Sequence, residues 1–478
     1  MGFQPGEEVL PKEQPFSHII NNKFRSTFCD WCIQEKESDK KLTKCHKCNE
    51  VFYCNRACQR KAYVTYHKSE CGKLKTITSD ISPEMKDVLI FMGRTIKKVQ
   101  NGGDKLIAKL PDGTERCFDD LMSHEEEILQ IHSETIAPFR TGTPWCQTFF
   151  GDASFEYLLR IFGKININKH GIISSKMAHI GDALYIGASA IDHACSPNAI
   201  FVTKNGKEIS IRALEKVENF SEVRISYIKP SDNTENRRNK LKLHYHFDCE
   251  CRLCEDEEKD NCRSSMLCPK AKIGDLDYYE HCVPMKTAQC IKCGSRISKK
   301  IIEKYKHYIN QEDHSFEEWI CGEPSKIVHP CDSFFFRFAQ KCTEKVSFLM
   351  PINALPDYLQ DEEHFRKLNI ALATNIEKYV GDYNPLRGHI YFQCAANLSV
   401  SKQEETLQLC SIFLNGAMEV MEVTHGIDHP QYKLMEQKFN ELGDPELDSD
   451  YETVSESDPD ANSDPDVDSD PDADSDPD

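Results

Sequence analysis

The chain has 478 residues, 39% of them apolar and 29% charged, with 23 cysteines and a formal net charge of −19. That length allows two or more cores, and no apolar run reaches the roughly 18–20 residues of a membrane-spanning helix. The charged start, Met1 to Gln14, lacks the apolar stretch of a signal peptide, so residence in the cytoplasm or nucleus is expected. The acidity is local: 16 Asp and Glu between Asp444 and Asp478, with no Lys or Arg among them, account for all but −3 of the net charge.

In a reducing compartment, clustered cysteines bind metal more often than they form disulfides. After a lead-in, residues 1–28, the first cluster reads Cys29-x2-Cys32, Cys45-x2-Cys48, Cys54-x3-Cys58 and His67-x3-Cys71. Zinc takes four tetrahedral thiolate or imidazole donors, so these eight residues make two closed, structural sites. A helix over Asn55 to Glu70, capped by Asn55, would put His67 and Cys71 on one face. Zinc supplies much of the folding free energy of so short a segment. Spacing alone does not say which four ligands share an ion. The cluster, residues 29–71, with Val51-Phe52-Tyr53-Cys54 before the helix, resembles the MYND zinc finger. That resemblance implies interleaving: Cys29, Cys32, Cys54 and Cys58 on one ion, and Cys45, Cys48, His67 and Cys71 on the other. It also implies a peptide-binding or scaffolding role, with a proline-rich peptide as partner. Arg56, Arg60, Lys61 and Lys68 give the finger a basic helix that faces solvent or, as a weaker reading, nucleic acid.

Residues 72–240 alternate helical patterns with short β-rich runs. Within them, Asp192-His193-Ala194-Cys195-Ser196-Pro197-Asn198 is a polar turn after an apolar run. Val223 to Ile228 alternates like a strand, with Val223, Ile225 and Tyr227 on one face. In residues 241–256, Cys249-x-Cys251-x2-Cys254 supplies three sulfurs that need a fourth ligand. These features, following the finger, resemble the SET domain and its post-SET zinc site. Together they look like the SET-and-MYND family of protein lysine methyltransferases, in which the finger is inserted in a split SET domain.

The resemblance implies an α+β fold: a β-rich SET-like domain, the inserted finger, the post-SET zinc segment and a C-terminal antiparallel, TPR-like helical domain. It implies that Cys195 completes the zinc site of Cys249, Cys251 and Cys254. S-adenosylmethionine would be contacted by Asn168, Asp192, His193, Tyr245 and Phe247, and Tyr227 would be the catalytic tyrosine. The substrate would be a lysine of a histone or another protein. Three departures stand against the pattern. Gly2-Phe3-Gln4-Pro5-Gly6-Glu7 looks like the segment just after the family's glycine turn. Asp192 stands where the family has Asn, and Phe220-Ser221-Glu222 where it has Gly-Glu. Two readings follow: an active methyltransferase, or a degenerate member acting as a zinc-scaffolded peptide-binding adaptor or transcriptional co-regulator.

Residues 257–332 read as a cysteine-containing linker, in which Cys262, Cys268, Cys282, Cys290 and Cys293 offer ligands for a fourth zinc or serve as free thiols; Cys290-x2-Cys293-Gly294 resembles a zinc knuckle. Residues 333–442 are helical: Phe365, Leu368, Leu372, Ile376 and Tyr379 mark one face, and Leu407, Cys410, Leu414, Ala417 and Met421 another. Cys117, Cys146, Cys331, Cys342, Cys394 and Cys410 stand alone and are expected to be small buried hydrophobes. The tail, 443–478, repeats Ser-Asp-Pro-Asp from Ser457, Ser463, Ser469 and Ser475, a composition that cannot bury a core. A solvated tail is expected there, with a lure for basic partners or phosphorylation at those serines as alternatives.

Overall fold

The computed structural model describes residues 2–36, 40–77, 81–176, 178–204, 206–229, 231–272, 280–310, 323–343, 362–401 and 403–442. The acidic tail lies outside the described residues, as do the side chains of Cys342, Phe365, Leu368 and Tyr379.

The β-rich part is built from small antiparallel sheets. In one, Glu208–Ala213 lies between Glu8–Glu13 and Ala199–Lys204; in another, His179–Leu184 lies between Ser17–Ile20 and Lys169–Ile173. Ile20, Ile172, Ile180, Ile209 and Ile211 of these sheets are buried in one core together with Val223 and Ile225. The expected strand over Val223 to Ile228 is shorter: only Arg224–Ile225 pairs, in parallel with Asp192–His193. It ends because Ser226 turns its hydroxyl to the Ile228 carbonyl at 2.7 Å, bending the chain at Tyr227.

The finger leads into helices. Asn55 caps Arg56–Ala62, its side chain accepting from the Cys58 N–H. The helix then passes through a π-turn, Tyr63–His67, before continuing as Lys68–Thr76. Ser82 and Pro83 start the next helix, Pro83–Gln100, which buries Leu89 to Met92 against the finger and the Ser17–Ile20 strand. Phe155–Asn168 completes this layer. An added Cβ on its Gly163 would lie 2.0 Å from the Ser123 carbonyl oxygen. Glycine therefore lets the 122–124 segment sit directly over the helix that ends at Asn168.

A second core forms in the C-terminal half, where Ser333–Thr343, Glu362–Tyr379, Pro385–Leu398, Glu404–Thr424 and Pro430–Leu442 pack on successive neighbours. Leu372, Ile376, Cys394, Cys410, Leu414, Ala417 and Met421 line it. Residues 257–332 are more than a linker. Their hairpin, Ser265–Leu267 with Cys282–Pro284, and the helix Lys299–Ile309 send Met266, Val283 and Tyr305 into this same core. Among the isolated cysteines, Cys146, Cys331, Cys394 and Cys410 are buried and Cys117 half-buried. No described helix is long and apolar enough to cross a membrane.

Candidate active site and zinc centres

The donor atoms of Cys29, Cys32, Cys54 and Cys58 lie within 4.8 Å of one another, and so do those of Cys45, Cys48, His67 and Cys71. The separations suit zinc. A tetrahedral ion with zinc–sulfur bonds of about 2.3 Å spaces its sulfurs about 3.8 Å apart. Cys32 and Cys54 Sγ are 3.8 Å apart, Cys45 and Cys71 Sγ 3.7 Å, and Cys48 Sγ and His67 Nε2 3.7 Å. Each finger site thus has four protein donors and no open position.

Behind the second site lies a buried charge chain. Glu70 Oε1 is 2.9 Å from His67 Nδ1, which directs Nε2 to the metal position. Arg94, 3% exposed, donates to Glu70 at 2.8 and 3.0 Å, to Asp30 Oδ2 at 2.9 Å and to the His18 carbonyl at 3.1 Å. Burial alone would raise the Glu70 pKa, but Arg94 and His67 overcome it and hold the group at about 2.

The third group is Cys195, Cys249, Cys251 and Cys254. Cys195 Sγ lies 4.0 Å from Cys249 Sγ and 3.6 Å from Cys254 Sγ. The Cys195 N–H points at Cys251 Sγ, 3.4 Å away. Four thiolates leave a divalent ion with excess negative charge, and the wholly buried Arg237 answers it, donating to Cys254 Sγ at 3.6 Å and to the Leu253 carbonyl at 3.3 Å.

Next to this group opens a cavity of about 480 Å³, within the range of about 300–1,000 Å³ of small-molecule sites. Asn168, Asp192, His193, Tyr227, Tyr245 and Phe247 all line it, although they come from stretches far apart in sequence. The Phe155–Asn168 helix delivers Asn168 at its end. His246, at φ 63°, ends the Thr234–Tyr245 helix in the left-handed region and reverses the chain between Tyr245 and Phe247. The Tyr227 and Tyr245 ring centroids are 4.9 Å apart, those of His193 and Tyr227 5.1 Å, and those of His193 and Phe247 5.9 Å. This aromatic wall suits a cation. Asn168 donates both amide hydrogens, to the Met122 and Lys164 carbonyls at 2.9 and 2.8 Å, leaving its oxygen to accept from a ligand. Asp192 adds a carboxylate and Arg116 a cation, so the cavity can meet an ammonium and a carboxylate as well as a positive centre.

Tyr227 donates its hydroxyl to the Ile191 carbonyl at 2.7 Å. Burial, then the nearby Asp192, push its pKa above the ordinary tyrosine range, so the phenol stays protonated. Its proton is spent on Ile191 and its oxygen remains an acceptor. Arg116, His124 and Phe201 also line the cavity; the sequence carried no signal for them, since their arrival depends on packing such as that at Gly163.

A second cavity, about 450 Å³, opens between the sheet and the helical half, bounded by Pro197, Ala199, Lys229, Leu386, His425 and His429. Phe201, Ile225, Ser226 and Tyr227 belong to both cavities. The two cavities therefore share a wall that includes the tyrosine.

Comparison with known proteins agrees with this layout. The MYND finger family model matches residues 29–71. The human N-lysine methyltransferase SMYD2 is 23% identical over 447 residues, covering 91% of this chain and 93% of that protein. The human histone-lysine N-methyltransferase SMYD1 is 23% identical over 451 residues, 90% of this chain and 83% of that protein. The human histone-lysine N-methyltransferase SMYD3 is 30% identical over 264 residues, 54% of this chain and 58% of that protein. A finger with interleaved donors, a three-plus-one sulfur group beside an aromatic cavity and relatives aligned along nearly the whole length support the SET-and-MYND family of protein lysine methyltransferases as the one this chain is similar to.

Proposed function

We propose that the chain is an S-adenosylmethionine-dependent protein-lysine N-methyltransferase, with Tyr227 as its catalytic residue. The observation that carries this reading is the place of Tyr227 in the wall shared by two cavities, one polar and aromatic, the other running between the sheet and the helices. A methyl-transfer enzyme needs its two reactants to approach one point from opposite sides, in line.

S-adenosylmethionine supplies an electrophilic methyl group on a sulfonium. Asn168, Asp192, His193, Tyr245 and Phe247, which line the first cavity, would hold it. Asn168 and Asp192 would supply oxygens for a cationic group, and the aromatic wall a surface suited to positive charge. The protein lysine enters from the second cavity, between Pro197 and Leu386. That apolar passage disfavours an ammonium and so favours the neutral amine that attacks. The Tyr227 oxygen accepts from the amine N–H and fixes the direction of its lone pair, and its phenol, kept protonated, takes no proton from the substrate. The finger adds a docking surface: Tyr63 and Val64, 43% and 77% exposed, stand beside Arg60 and Lys61 and suit a proline-rich peptide. A protein whose thiols hold zinc in this way works in the reducing cytoplasm or nucleus.

Calorimetric titration of the zinc-loaded chain with S-adenosylhomocysteine tests the reading. Saturable one-to-one binding is expected, and no heat at millimolar ligand would overturn it.

A further inference from the structure

The hairpin of residues 265–284 ends in a cross-strand pair: the Cys268 N–H donates to the His281 carbonyl at 3.1 Å. The turn Cys290-Ile291-Lys292-Cys293 lies against this end, since the Ile291 N–H donates to the Cys282 carbonyl at 2.9 Å. The donor atoms of Cys268, His281, Cys290 and Cys293 lie within 4.8 Å of one another. Cys268 and Cys293 Sγ are 3.6 Å apart, and Cys290 Sγ and His281 Nδ1 are 3.6 Å apart. These are edges of a zinc-centred tetrahedron, whose sulfur–sulfur edge is about 3.8 Å, and far exceed the roughly 2.05 Å of a disulfide.

The turn repeats the backbone of a finger knuckle. At Cys29-x2-Cys32, the Cys29 N–H donates to Gln34 at 3.0 Å, the Ile33 N–H donates back to Cys29 at 2.8 Å, and Phe28 bridges Glu35. At Cys290-x2-Cys293, the Cys290 N–H donates to Ser295 at 2.8 Å, the Gly294 N–H donates back to Cys290 at 3.0 Å, and Gln289 bridges Arg296. The residue after the second cysteine is left-handed in both, Ile33 at φ 59° and Gly294 at φ 68°; glycine takes that conformation without strain.

We propose that Cys268, His281, Cys290 and Cys293 hold a fourth, structural zinc ion, independent of the methyl-transfer site. Cys262 and Cys282, also candidates from the sequence, do not belong to it. Successive strand residues face opposite sides, so His281, not Cys282, shares the side of Cys268. The site has a clear job. Strands of three residues hold a hairpin only marginally, and the ion would fasten it to the knuckle while Met266, Val283, Cys290 and Ile297 enter the helical core from its inner side.

Zinc counting on the purified, reduced full-length chain tests the proposal, by native mass spectrometry together with elemental analysis. Four ions per chain are expected; three would overturn it. The paired variant Cys290→Ser/Cys293→Ser should lose one ion, whereas Cys262→Ser/Cys282→Ser should keep all four. Loss from the second pair with retention in the first would overturn the assignment. Because the wild-type count needs no variant to fold and no activity to be present, it stands apart from the fate of the enzymatic reading.

Discussion

His193 joins Cys195, of the third sulfur group, to Tyr227: its Nδ1 accepts the Tyr227 backbone N–H at 3.0 Å, and its Nε2 lies 3.2 Å from Cys195 Sγ. The first bond fixes the tautomer, leaving the Nε2 hydrogen to face the sulfur. A zinc ion held by Cys195 would therefore help to fix where Tyr227 stands. His193→Ala should reduce kcat by about 10–100-fold, the usual effect of losing such a partner of a metal ligand. Steady-state kinetics with a zinc count checks this; unchanged kcat would sever the link.

Tyr227→Phe removes the hydroxyl from the wall that the two cavities share while keeping the ring that packs on Tyr245. Methylation should fall by at least about 100-fold, the scale of losing one positioned polar group in the transition state. S-adenosylhomocysteine affinity and zinc content should hold. Turnover within a few-fold of wild type would show that another group orients the amine.

Cys251→Ala opens the third zinc group. Since that ion ties the Cys195 turn to the segment following Phe247, both ion and cofactor binding should be lost together. Calorimetry and metal analysis on the same sample read the coupling, and retained S-adenosylhomocysteine affinity without the ion would refute it.

Leu386→Asp places a charge in the second cavity, away from the cofactor residues. KM for the protein substrate should rise several-fold while S-adenosylhomocysteine affinity is unchanged. The opposite split would show that this space does not receive the lysine.

Asp332 gives a pH signature. It accepts from Tyr305 Oη at 2.7 Å and from the Ser265 and Phe334 N–H groups at 3.0 and 2.8 Å. Burial outweighs these bonds and raises its pKa from 3.8 to about 6. A raised folded pKa means the folded state binds the proton more tightly. Its contribution is full below pH 3.8 and is lost as pH rises through about 6, a change of roughly 3 kcal/mol. Urea midpoints of wild type relative to Asp332→Asn should fall across that window, and a flat difference would contradict it.

The sequence displayed its metal chemistry openly because zinc ligands come in local pairs. A C-x2-C turn is readable without knowing the fold. Which pairs share an ion is a tertiary fact; the family resemblance supplied an arrangement, and the donor sets that converge in the structure are the same ones. The cavity residues were reachable only through that resemblance, since nothing local distinguishes Asn168 or Phe247 from a core residue. The Val223–Ile228 alternation promised a longer strand than exists, because Ser226 turns the chain where the pattern sees only hydrophobic period. His281 escaped notice beside Cys282, as the choice between adjacent residues rests on which side of a strand faces Cys268.

Arg94 has a consequence for anyone who would treat the finger as a removable part. Its guanidinium is neutralised by Asp30, within the first cysteine turn, and by Glu70, one residue before the last ligand. Cutting out residues 29–71 would strand a cation in an oily interior, and transplanting them would carry off two acids without their counterion. The finger is wired into the body of the protein, so a partner that grips it also pulls on the Pro83–Gln100 helix.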